Sequence, residues 1–90
     1  MPTWRVEVKP TAEKRLLKLD KSARRRILQA LQDLEAAEQP LRYPQVRALT
    51  GELQGDFRLR VGDWRVLFAP DVERKMLFVY AIVPRGEAYR

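Results

Sequence analysis

Arg58, Arg60 and Arg65 are the residues of this chain whose type and spacing could do chemistry. They flank Gly62-Asp63, a two-residue loop with Gly first, which suits a type II′ hairpin turn and predicts paired strands within Asp56–Phe68. That turn sets Val61 opposite Trp64, Arg60 opposite Arg65 and Leu59 opposite Val66. Alternation then puts Phe57, Leu59, Val61, Trp64, Val66 and Phe68 on one face, and Arg58, Arg60 and Arg65 on the other with Leu67 and Ala69. The first face reads as core and the second as a cationic cluster. Like charges directly opposite in an antiparallel pair are destabilising, by an amount on the order of the ~0.2–1 kcal/mol that favourable pairs gain. An anion seated between the guanidiniums offsets that repulsion, and the planar fork of Arg matches phosphate. The hairpin is therefore expected to be a phosphate platform.

The rest of the composition narrows the chemistry. The 90 residues are 46% hydrophobic and 33% charged, which describes one globular domain, 1–90, able to bury roughly 60–65% of its unfolded surface. There is no Cys, so disulfides and thiolate chemistry are excluded. There is no His either, which removes the usual general base near neutral pH and the commonest metal ligand. Catalysis must use Arg, Lys, Tyr, Asp or Glu. The formal charge of +6 favours a polyanionic partner. Met1–Lys9 is too polar for a signal peptide and no apolar run approaches a membrane span, so a cytoplasmic location is expected, with no membrane partner.

Several elements must position the hairpin. Trp4-Arg5-Val6-Glu7-Val8-Lys9 alternates as a half-buried strand does, ended by Pro10. Thr11 can cap a short helix carrying Ala12, Leu16 and Leu19 at helical spacing. Asp20 is a second N-cap, and Ala23, Ile27, Ala30, Leu31 and Leu34 form one apolar stripe behind it. Arg24-Arg25-Arg26 reads most simply as solvated helix face, and could also grip RNA phosphates. Gln39–Gln45, with Pro40 and Pro44, is a loop; Tyr43 within it suits either core or surface. Pro70–Arg74 is a turn. Lys75–Val83 is apolar on both parities, as a central strand covered on both faces is, with Tyr80 on the core side; Pro84 closes it. The expected fold is α+β, β-α-α-β-β-β, with a helix pair on one face of a small, mainly antiparallel sheet.

Three stretches in this order, Leu49-Thr50-Gly51, Asp56–Phe68 and Ile82–Tyr89, together resemble the RelE/ParE toxin superfamily, and the element order resembles its fold. The resemblance implies the toxin of a type II toxin–antitoxin pair. RelE-like members cut messenger RNA in the ribosomal A site without a metal or other cofactor; ParE-like members inhibit DNA gyrase. Carried to matching positions, RelE-like catalytic residues are Arg58, Arg60, Arg65, Arg85 and Tyr89. All five are chemically suited, which favours a metal-independent, ribosome-dependent endoribonuclease that directs a 2′-hydroxyl onto the adjacent phosphate. Ribosome, mRNA and a cognate antitoxin are the implied partners, the antitoxin wrapping the basic surface with an acidic segment. The alternatives are a ParE-like gyrase inhibitor or a non-catalytic basic nucleic-acid-binding domain.

Within that chemistry Arg58, Arg65 and Arg85 stabilise charge on the phosphoryl oxygens. Arg60, with a pKa of ~12.5 or above, cannot be a general base. Tyr89 can stack on a base or move a proton, and Glu87 is a second candidate base.

Overall fold

The computed structural model describes residues 3–86. Strand β1 (Arg5–Val8) leads into helices α1 (Pro10–Lys18) and α2 (Lys21–Ala36), followed by β2 (Val46–Ala48), β3 (Phe57–Val61), β4 (Trp64–Asp71) and β5 (Met76–Pro84). The sheet order is β1-β5-β4-β3-β2, with β1 parallel to β5 and every other pair antiparallel. Both helices bury their apolar sides on one face of it. Ala12 and Leu16 of α1 and Ile27, Leu31 and Leu34 of α2 join Leu59, Val66, Phe68, Leu77, Val79 and Ile82 in one buried cluster. Tyr43 packs partly buried against it. The opposite face carries no second layer of helices or strands among the described residues.

The hairpin has the register that its loop implies: Val61 faces Trp64, Arg60 faces Arg65 and Leu59 faces Val66. Gly62 has φ of 57° while Asp63 is not in the left-handed region, as a II′ turn requires. Asp20 caps α2, its Oδ1 accepting from the Ala23 N–H at 2.8 Å. On the free edge of β1 the Val6 N–H donates to Glu35 Oε2 of α2 at 2.8 Å. That bond satisfies an edge donor and ties the helix layer to the sheet.

Four features depart from expectation. Thr11 is not a cap: α1 begins two residues earlier, with Lys9 as its N-cap and Pro10 at its first position, where the missing N–H is not needed and φ is already helical. A short strand, β2, extends the sheet beyond β3, giving five strands where the sequence indicates four. Pro70 lies within β4, not in a turn, and it is tolerated because β3 has ended at the Phe57–Phe68 pair. Finally, Tyr80 is not core. A bulge in β5 pairs Ala81 with Leu67 and Val79 with Phe68, leaving Tyr80 as the extra residue and reversing the parity beyond it. Ile82 and Val79 therefore both point to the helices, and Tyr80 lies on the open face. β5 is interior to the sheet but is covered by helix on one face only.

Candidate functional site

Parity and register put four arginines on the open face in two cross-strand pairs. Arg60 on β3 faces Arg65 on β4, and Arg58 on β3 faces Arg47 on β2. The first pair was legible from the hairpin. The second needs β2, which pairs through only three residues.

A cleft of about 510 Å³ opens at the turn end of the hairpin, lined by Gln45, Arg60, Gly62, Asp63, Arg65 and Arg85. Arg85 arrives there from the end of β5, its N–H donating to the Asp63 carbonyl at 2.7 Å. Its guanidinium stands 3.9 Å from the exposed Asp63 carboxylate, a loose surface pair of small energetic weight. A smaller cleft of about 130 Å³, lined by Pro44, Gln45, Arg47, Arg58 and Arg60, adjoins the first through Arg60 and Gln45. Gln45 is held there by its backbone, whose carbonyl accepts from the Arg60 N–H at 3.0 Å.

The arginines differ in how they are held. One Arg65 Nη1 donates to the Gly62 and Trp64 carbonyls, both at 2.9 Å, so the guanidinium is locked against its own turn. Arg47 is fixed in the same way on the Pro44 and Val46 carbonyls, at 2.9 and 3.0 Å. Arg58 and Arg60 have neither an ion pair nor a side-chain hydrogen bond among the described residues. Two braced guanidiniums thus flank two that keep all their donors for a ligand.

Tyr80 borders this face. Its hydroxyl donates to Asp56 Oδ2 at 2.8 Å. Burial, reinforced by the hydrogen bond to Asp56 and by that carboxylate's charge, pushes the phenol well above its ordinary value. Tyr80 therefore stays protonated and acts as a donor, not as a base.

The three arginines of α2 separate. Arg24 and Arg25 line an open groove of about 530 Å³ with Lys21, Leu28, Gln29 and Gln32, on the helix layer and away from the arginine face. Arg26 instead lies against Gly62, where a side chain at that position would collide with its guanidinium. It approaches the same turn that lines the larger cleft. Tyr89 and Glu87 lie outside the described residues. Arg47, Gln45 and the Asp56–Tyr80 bond were not found by sequence reasoning. The alternation of Val46-Arg47-Ala48-Leu49 between Pro44 and Gly51 is the one signal that could have revealed Arg47.

A family model described as the ParE toxin of the type II toxin–antitoxin system, parDE, matches residues 6–89. The chain belongs to this family. It shares the fold of solved RelE toxins, which places it in the RelE/ParE superfamily. The toxin of the archaeal RelE–RelB complex from Pyrococcus horikoshii is 31% identical, with a TM-score of 0.77 over 96% of this chain and 99% of that one. The toxin–antitoxin complex RelBE2 from Mycobacterium tuberculosis gives 0.79 at 24% identity, over 94% and 100%. The isolated E. coli RelE toxin gives 0.70 at 16% identity, over 94% and 87%. No curated protein matches the chain. In this type II toxin, the arginine face is the sheet surface left open by the helices.

Proposed function

We propose that this toxin is a ribosome-dependent endoribonuclease whose site is the arginine face. The observation that carries the reading is the convergence of Arg60, Arg65 and Arg85 on one cleft, with Arg58 and Arg47 beside it. In the proposed step the 2′-oxygen of a ribose forms a bond to the adjacent phosphorus as its proton passes to a base. The bond from phosphorus to the 5′-oxygen breaks, and that oxygen takes up a proton. The products are a 2′,3′-cyclic phosphate and a 5′-hydroxyl.

Charge on the phosphoryl oxygens grows towards the transition state, and donors already aimed there stabilise it without reorganising. Braced Arg65 and unpaired Arg60 suit that role, and Arg85 closes the cleft from β5. Guanidiniums supply the positive charge, so the step calls for no metal. Arg cannot be the base, and Tyr80 is held protonated. We assign proton transfer or base stacking to Tyr89, with Glu87 the other candidate base. A cognate antitoxin bearing an acidic segment would neutralise the same face; the matched RelE–RelB structure from Pyrococcus horikoshii is a complex of the two proteins so named in its own organism.

The second reading, DNA gyrase inhibition, is favoured by one observation: the family model is that of ParE. Purified toxin added to ribosomes programmed with a defined message separates the two. The RNase reading predicts cuts within the A-site codon, leaving 5′-hydroxyl ends, in EDTA-treated toxin as well. Intact message together with loss of gyrase supercoiling activity would replace it with the gyrase reading.

A further inference from the structure

Asp56 and Arg58 are two residues apart at the start of β3 and share the open face, a spacing across which a long Arg side chain can reach a carboxylate. Yet Arg58 has no ion pair among the described residues, and Asp56 Oδ2 is taken by the Tyr80 hydroxyl. Tyr80 reaches across β4 to do this from the bulge in β5: Val79 before it and Ile82 after it both point to the helices, and the extra residue between Val79 and Ala81 keeps both in the core while Tyr80 lies on the open face. A bulge that re-aims one side chain is a common device beside functional surfaces. Here the side chain at the bulge meets a carboxylate two residues from Arg58.

We propose that Tyr80 is a positioning residue that holds the Asp56 carboxylate off Arg58, so that the arginine face stays uncompensated and open to a phosphate backbone. The inference rests on reading that face as a phosphate platform. Without the hydroxyl, the lowest-energy partner for Asp56 is the neighbouring guanidinium, which would close the Arg58 end of the platform with an internal ion pair. Tyr80 contributes no charge and touches no substrate; it acts through Asp56.

The test uses the full chain and a 2′-O-methylated RNA oligonucleotide, which binds but has no 2′-hydroxyl to react. Tyr80→Phe is expected to bind about fivefold to tenfold more weakly, with the slope of log affinity against log salt reduced by about 0.7, the share of one single-strand phosphate contact. Adding Asp56→Asn should restore both. Asp56→Asn alone keeps an acceptor for Tyr80 and should bind no more weakly than wild type. A Tyr80→Phe loss that Asp56→Asn does not rescue, or weaker binding by Asp56→Asn alone, would overturn the proposal.

The Nε–Hε resonance of Arg58 reads the swap without RNA. It should gain protection from exchange in Tyr80→Phe and lose it again in the double variant. If that swap occurs while wild type fails to bind the oligonucleotide, the positioning of Asp56 stands and the reading of the face as a phosphate platform falls. If wild type binds but no swap occurs, the platform stands and the positioning role falls.

Discussion

Replacing Arg60 by Ala is expected to lower the rate of message cleavage by about 10², the lower end of the loss for one donor facing developing charge, because no protein contact braces this guanidinium in advance. The loss should fall on the rate of the chemical step, read as single-turnover cleavage on saturating ribosomes. Arg60 is the cleanest residue for this test. Its side chain is exposed, lines both clefts, and makes no ion pair or hydrogen bond among the described residues, so nothing structural is lost with it. Its removal also relieves the like-charge pairing with Arg65, so thermal stability should hold or rise slightly. Arg65→Ala is a less decisive variant, because Arg65 also holds the Gly62 and Trp64 carbonyls and its loss loosens the turn. An Arg60→Ala protein with unchanged cleavage would remove Arg60 from the site.

The largest expected effect on stability lies at Phe68. It is fully buried and stacks on Phe57 with ring centroids 6.0 Å apart and planes 18° from parallel. Phe68→Ala removes that burial and leaves a cavity between the sheet and the helices, at a cost of about 3–5 kcal/mol. Against a total stability of about 5–15 kcal/mol for a domain, that is a large fraction of the margin, about a fifth at the least. The melting temperature should drop by more than about 12 °C. Unlike Arg60→Ala, this variant should lose toxicity by unfolding: cleavage per folded molecule is kept, and growth arrest returns at low temperature. A melting temperature within a few degrees of wild type would show that the core does not centre on Phe68.

The two variants divide along a line already visible in the sequence. A two-residue Gly-Asp loop sets the hairpin register, and period-two alternation by itself then assigns Phe68 to the core and Arg60 to the opposite face. Local geometry of that kind is legible because one turn determines it.

What was not legible depends on contacts distant in sequence or on single-residue irregularities. Val79-Tyr80-Ala81 is apolar on both parities, so nothing in it marks the bulge, and alternation counted back from Ile82 puts Tyr80 in the core. β2 is too short to announce itself, and with it went Arg47, the partner of Arg58. Pro70 reads as a turn until the end of β3 leaves β4 with an unpaired side there. Arg24, Arg25 and Arg26 look equivalent in the chain. Only helix phase and the missing side chain of Gly62 set Arg26 apart, bringing it to the hairpin turn. Tyr89, assigned by resemblance, lies outside the described residues, so its role rests on cleavage measurements with Tyr89→Phe, in which retained cleavage would exclude the hydroxyl as an essential acid or base.

The most direct measurement of the central claim is to induce the toxin in a bacterium and map new 5′ ends on its messages, with Arg60→Ala induced in parallel. The arginine-face endoribonuclease predicts cuts inside reading frames that vanish when translation is blocked and are absent from the variant. Growth arrest with uncut messages and DNA-damage signalling would contradict it and assign the toxin to gyrase.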